Sequence, residues 1–402
     1  MPFCVVLATR EPVAQSPASA LCHFACHRTL APMTPMPPVP PTRLHRVSRY
    51  CAAALRACAV ASVTSLVPLI ALSGVAPSVA HAADSADSNA GPAYGPELQG
   101  FDYPYPVNRF DFTSQRTPLH MVYLDVKPAQ PNGRTVVLLH GKNFCAATWR
   151  ETIDVLSGAG YRVIAPDQIG FCKSSKPAQY QYSFQQLANN THALLASLGI
   201  TRATIVGHST GGMLAARFAL MYPDETQQLV LVNPIGLEDW KALGVPSKTV
   251  DEWYERDLRT SAPSIRRYEQ ATYYAGQWNE RYEPWVQMLA GMYRGPGKRI
   301  VAWNSALLYD MIYTQPVVYE FGQIRVPTWL LIGDKDTTAI GKDFSPPEVQ
   351  ARIGHYPALA KAAHAAIPGS TLVEFPELGH APQMQDPVAF HKALLEGLAA
   401  VR

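Results

Sequence analysis

The chain has 402 residues, 48% hydrophobic and 16% charged, a balance that suits a globular core and excludes a disordered profile. Its formal charge of +3 is unevenly placed, because residues 1–82 hold six arginines and a single acid, Glu11. Of the 34 basic and 31 acidic side chains, 28 and 30 then remain for residues 83–402, which excludes a nucleic-acid partner argued from a basic patch.

Residues 1–35 fit no targeting pattern, and Met33 or Met36 is a more ordinary start, so this segment is expected not to belong to the real product. Residues 36–82 read as a secretory signal. Arg43, Arg46 and Arg49 precede an uncharged, largely apolar stretch over 57–72, and Ala80-His81-Ala82 predicts cleavage before Ala83. A membrane anchor is the competing reading, but the run is short, alanine-rich and interrupted by Pro68. The expected location is therefore periplasmic or secreted, with no stable membrane anchor after cleavage. Five of the seven cysteines fall within residues 1–82, leaving Cys145 and Cys172.

Residues 83–108, rich in proline and tyrosine towards their end, predict an extended arm lying on a surface. Alternating segments over 109–114 and 119–126 predict a β-hairpin. Strand-like runs at 135–139, 161–166, 203–206 and 228–233 then alternate with helical ones at 147–159, 183–198 and 211–221. That alternation predicts a mostly parallel sheet covered on both faces. It stops at Pro234. Residues 236–324 are polar-aromatic and helix-like, more than a simple connection needs. Strand patterns resume over 326–332 and 371–375, and a helix from Pro387 closes the chain. The core is thus expected in two pieces, 109–235 and 325–402, interrupted by a helical cap over 236–324.

Chemistry concentrates at Gly207-His208-Ser209-Thr210-Gly211, a G-x-S-x-G between a β-branched run and a small-residue helix. That context is the one a nucleophile elbow requires, and a glycine-rich turn with a capping serine is the bland alternative. A serine hydroxyl needs a base, and the base an orienting acid. Residues 83–402 offer His120, His140, His192, His208, His355, His364, His380 and His391. His192, His364 and His391 fall in predicted helices, while nothing places His120 or His355 near the serine. His208 is expected to point away from Ser209, and His140 to shape the loop it opens. His380 follows a strand, behind Gly379, and is the best base. Asp336, after the strand ending at Ile332, is the preferred acid over Asp334, which is expected to hydrogen-bond its own loop.

The order Ser209, Asp336, His380 resembles that of the α/β-hydrolase superfamily in its capped, epoxide-hydrolase-like form, over about 96–401. His140-Gly141 resembles its oxyanion loop, and Asp167 to Ser174 its D-x-x-G-x-G-x-S loop. Val326-Pro327 to Asp336, and Gly379 to Pro382 with Asp386-Pro387, resemble its acid and base segments. The resemblance implies an oxyanion hole from the backbone N–H groups of Lys142 and Thr210. It also implies a cap over the serine, inserted after the sixth strand.

Three departures from that pattern involve four residues. Ser209 stands where epoxide hydrolases and haloalkane dehalogenases of this fold use aspartate, which favours acyl transfer to water. Lys142 and Asn143 replace the usual apolar residue and proline; Asn143 either contacts substrate or braces the loop. Cys172 replaces the second glycine of its loop, and the neighbouring strands of the superfamily's sheet would bring it to Cys145. The expectation is a Cys145–Cys172 disulfide, with two buried free thiols as the alternative.

The sequence thus leads us to expect an exported serine hydrolase acting on a small-molecule ester or related acyl substrate, without metal or cofactor. Amide, lactone or C–C bond hydrolysis, cofactor-free haloperoxidase-like chemistry and a low-turnover ligand-binding protein are the rivals on the same scaffold.

Overall fold

The computed structural model describes residues 89–401; the leader and signal readings lie outside the described residues. Eight strands form one sheet: β1 (Val107–Ser114), β2 (Thr117–Val126), β3 (Thr135–Leu139), β4 (Arg162–Pro166), β5 (Ala203–His208), β6 (Thr226–Val232), β7 (Thr328–Gly333) and β8 (Thr371–Phe375). Their order is β1-β2-β4-β3-β5-β6-β7-β8. The β1–β2 hairpin is antiparallel and β2 meets β4 antiparallel, whereas every pairing from β4 to β8 is parallel.

The connecting helices are α1 (Arg150–Gly158), α2 (Phe184–Ser197) and α3 (Thr210–Met221), followed by α4 (Val250–Asp257), α5 (Ala262–Tyr268), α6 (Glu283–Arg294) and α7 (Lys298–Thr314). After β7 come α8 (Pro347–Gln350) and α9 (Tyr356–Ala366), and after β8, α10 (Pro382–Gln385) and α11 (Pro387–Ala399). Helix starts follow local chemistry. Ser183 accepts the Gln186 N–H to cap α2, Thr249 and Glu252 form a capping box on α4, and Asp386 caps α11 ahead of Pro387. No helix among the described residues is long and apolar enough to cross a membrane.

The central strands are buried on both faces, so their alternation sorts side chains into two cores. Val137, Leu139, Ile205, Leu229, Leu231 and Leu330 face the α2–α3–α9 side, while Val136, Leu138, Val206, Val230, Val232 and Leu331 face α1 and α11. At about 25 cal/mol per Å² of apolar surface, such continuous burial dominates the stability of the sheet. Between β6 and β7 the described chain forms α4 to α7 and no strand, in the stretch expected to be helical.

The segment expected to be an extended arm is anchored to the residues it crosses. Leu98 is fully buried, and Lys173 Nζ donates to the carbonyls of Leu98 and Phe101. Tyr94 packs so closely on α6 that a Cβ at Gly291 would lie 2.2 Å from its ring. The arm therefore joins the sheet domain to the helical insertion.

Candidate active site

The strand order reverses direction at β3 and β5, and their carboxyl ends open the crevice where α/β sheets place ligands. Ser209 sits there, between β5 and α3, with φ +58° and ψ −122°. A non-glycine residue in that region is strained and persists only where its surroundings fix it. Here the Ser209 N–H donates to Val232 O, and its carbonyl accepts from Gly212 and Ile235 N–H. The flanking glycines are obligatory. A Cβ on Gly207 would lie 2.1 Å from Gly211 O, and one on Gly211 would lie 2.2 Å from Leu139 O. Thr210, as the first residue of α3, has an N–H without an acceptor in a preceding turn. Among the described residues, neither it nor the Lys142 N–H donates to a loop or side-chain acceptor.

His380 and Asp336 arrive from the ends of β8 and β7, and both side chains are wholly buried. His380 Nδ1 donates to Asp336 Oδ2 at 2.6 Å, which leaves Nε2 buried and without a hydrogen bond among the described residues. Asp336 is itself held: Asn233 Nδ2 donates to Oδ2 at 2.9 Å and Thr338 N–H to Oδ1 at 2.8 Å. Asn233 also bonds both backbone groups of Gly333, so it fixes the end of β7 as well as the acid. On the other side, Gly379 is pressed against Tyr273, whose ring centroid lies 4.7 Å from that of His380.

His208 and His140 brace the backbone around the site. His208 Nε2 donates to His380 O at 2.8 Å, so it points away from the serine hydroxyl and supports the backbone of His380. Burial and the neighbouring His380 push its pKa well down, which keeps it neutral. His140 donates from Nδ1 to Gly141 O and accepts the Gln168 N–H at Nε2, tying the loop after β3 to that after β4. Asp334 departs from expectation: its carboxylate takes up no loop hydrogen bond, and Oδ1 is buried without a partner among the described residues. The turn at residues 334–335 makes its bonds through backbone N–H groups instead, to Phe375 O and Leu378 O.

Cys145 and Cys172 are joined in a disulfide, with Cα atoms 5.9 Å apart. Cys172 has φ +44°, a left-handed conformation that explains why glycine is the usual residue of this loop. Asp167 organises the same corner, accepting from Ala146 N–H, Lys173 N–H and the Tyr103 hydroxyl. The three side chains of Cys145, Asp167 and Cys172 meet closely enough to resemble a metal site. The bonded sulfurs and the filled carboxylate make the cluster a structural brace.

Two cavities flank the loop after β3, and both are lined by Lys142, Asn143, Leu289 and Tyr293. One is apolar, walled by Phe144, Phe171, Met292 and Leu308 beside the disulfide. The other, with room for about 300 Å³, is polar and lined by Arg256, Asp257, Tyr268 and Tyr309. Asn143 donates to the Tyr273 hydroxyl at 3.1 Å, so it braces the loop against the insertion while facing the cavities. Desolvation lowers the Lys142 ammonium to about 8. Within the insertion, Glu269 is completely buried with neither carboxyl oxygen paired, and burial followed by the Glu283 charge pushes it up to about 8.

Sequence reasoning missed Asn233, the Lys142 side chain and Glu269. For Asn233 a signal existed, since a lone amide closes the apolar run Leu229 to Val232.

Residues 134–387 match the model of the alpha/beta hydrolase fold family, and the chain belongs to that family. A probable hydrolytic enzyme from Pseudomonas aeruginosa PAO1 is 67% identical, with a TM-score of 0.76 over 76% of this chain and 98% of that one. A haloalkane dehalogenase of Mycolicibacterium paratuberculosis is 36% identical over 33% of this chain and 44% of its own length. An epoxide hydrolase B of Mycobacterium tuberculosis is 33% identical over 37% of this chain and 42% of its own. The chain thus spans less than half the length of these two relatives.

Proposed function

We propose that the protein is an exported serine hydrolase that cleaves a carboxylic ester or a related acyl compound. The buried His380–Asp336 pair, with Nε2 left unpaired at the sheet edge that carries the strained Ser209, supports this reading most directly. Ser209 Oγ attacks the carbonyl as its proton passes to His380 Nε2, and Asp336 stabilises the imidazolium. The tetrahedral oxyanion is met by the Lys142 and Thr210 N–H groups, each worth on the order of 3 kcal/mol in such sites. The imidazolium then protonates the leaving alcohol, and His380 activates the water that releases the acid and regenerates Ser209.

The reactions in the names of the dehalogenase and epoxide hydrolase relatives are not carried over, because Ser209 stands where the resemblance to those families implies an aspartate nucleophile. Residues 236–324 serve as a cap over the serine. Export is supported by the signal-like leader and by a disulfide suited to an oxidising compartment. Amide, lactone and C–C bond hydrolysis share the machinery and remain rivals for the substrate.

The test is hydrolysis of p-nitrophenyl esters by the protein starting at Ala83, paired with fluorophosphonate labelling. Ser209→Ala is expected to abolish both. Turnover by that variant at the wild-type rate sinks the assignment.

A further inference from the structure

Lys142 follows the glycine of the oxyanion loop, and its side chain stands between the two cavities. Its Nζ donates to Ser305 Oγ at 2.5 Å and lies 3.6 Å from the centroid of the Tyr309 ring, both on α7. An ammonium has three donors, and these contacts supply it with no counter-charge. Among the described residues no carboxylate lies within ion-pair distance of it.

The polar cavity reinforces that imbalance. Arg256 and Arg259 line it with Asp257 and Asp343, so with Lys142 three cations face two acids. Asp343 is already paired with Arg256 at 3.0 Å, and buried Asp257 receives the Tyr293 hydroxyl. Arg259, exposed at the rim, has no ion pair among the described residues. The part-buried Lys142 ammonium feels Asp257 only at a distance beyond an ion pair, and an anion entering the cavity would give it a direct partner.

The geometry points to Lys142 as a specificity-determining residue for acyl substrates that carry a carboxylate a few atoms from the scissile carbonyl. The separation follows from the residue's two ends. Its backbone N–H is assigned above to the oxyanion, so its ammonium lies within one lysine side chain of the reacting carbon. This inference rests on the serine-hydrolase reading and adds to it the charge of the substrate.

The experiment compares kcat/KM for the p-nitrophenyl monoester of glutaric acid with that for p-nitrophenyl valerate, which has the same acyl length without the charge. The unaltered protein is expected to prefer the glutarate ester by about tenfold or more, and Lys142→Met to erase most of that ratio. The ratio is also expected to fall as pH rises through about 8, where Lys142 loses its proton. Lys176, which lines the apolar cavity with Lys142, is lowered by burial to about 7, so the step belongs to Lys142 only where Lys142→Met removes it. Burial raises the hydroxyls of Tyr268, Tyr293 and Tyr309 away from this range, and the Arg256 guanidinium is raised further still.

Labelling of Ser209 and valerate turnover, with a ratio at or below one or a ratio unmoved by Lys142→Met, overturns this inference alone. Absence of both labelling and turnover overturns the serine-hydrolase reading and this inference with it. If Lys142→Met fails to fold, inhibition of the unaltered protein decides. Glutarate is expected to compete with the valerate ester and glutaramide not to, and equal inhibition or none overturns the proposal.

Discussion

Replacing Asp336 by asparagine keeps the shape of the acid and removes its charge, so it isolates what the carboxylate contributes. Oδ2 receives two donors, from His380 and Asn233, whereas Oδ1 receives one, from Thr338 N–H. An asparagine is expected to turn its carbonyl oxygen towards the pair of donors, leaving its NH2 against Thr338. The imidazole then keeps its tautomer, but the imidazolium of the transition state has no counter-charge in a site closed to water. Removing one partner of a buried ion pair costs about 3–5 kcal/mol, or roughly 10²–10⁴ in kcat. The opposite rotamer would put NH2 against Nδ1 and force the proton onto Nε2, a loss of about 10⁴. Either orientation predicts a large fall in kcat for p-nitrophenyl butyrate, with the near-UV circular dichroism unchanged. A folded Asp336→Asn protein within about tenfold of the parent refutes the role given to Asp336.

The disulfide closes a sequence separation of 27 residues, for which chain entropy gives about 3–4 kcal/mol of stability. Reduction is expected to lower the melting temperature and slow ester turnover by loosening the oxyanion loop, and thiol counting in denaturant without reductant is expected to find no free thiol among residues 83–402. Glu269 sets a pH dependence in the opposite direction to an ordinary paired carboxylate. Its folded pKa is raised from 4.5 to about 8, so the folded state holds the extra proton across that window and loses stability as pH rises through it. Glu269→Gln is expected to raise the melting temperature at about pH 9 and leave it unchanged at about pH 4; equal shifts at both refute the account.

Much of this arrangement was legible because Ser209 and Asp336 follow strands whose apolar pattern is unambiguous, while His380 stands on the loop after the half-exposed β8. Val136 to Leu139, Ile205 to Val206 and Leu330 to Ile332 announce buried parallel strands, and the residues that follow them must emerge at one edge. Gly207 and Gly211 carry their signal locally, since nothing larger fits either place. The disulfide was within reach for the same topological reason: β3 and β4 are neighbours, and a cysteine follows each.

What stayed hidden depends on how side chains turn once the strands are in place. Asn233 reads as the last residue of a strand, and only the parallel β6–β7 register shows it spanning from Gly333 to Asp336. Lys142 reads as an odd replacement in a loop, because its partners Ser305 and Tyr309 lie more than 160 residues away on a helix with no fixed register to the sheet. Glu269 stands beside polar and aromatic residues that suggest an exposed helix face, yet the π-helical turn over Glu269–Tyr273 carries it inward. All three act through contacts of the insertion or the strand ends, which alternation does not encode. A charge left unpaired by packing is invisible to periodicity, and in this protein that charge stands beside the proposed oxyanion hole.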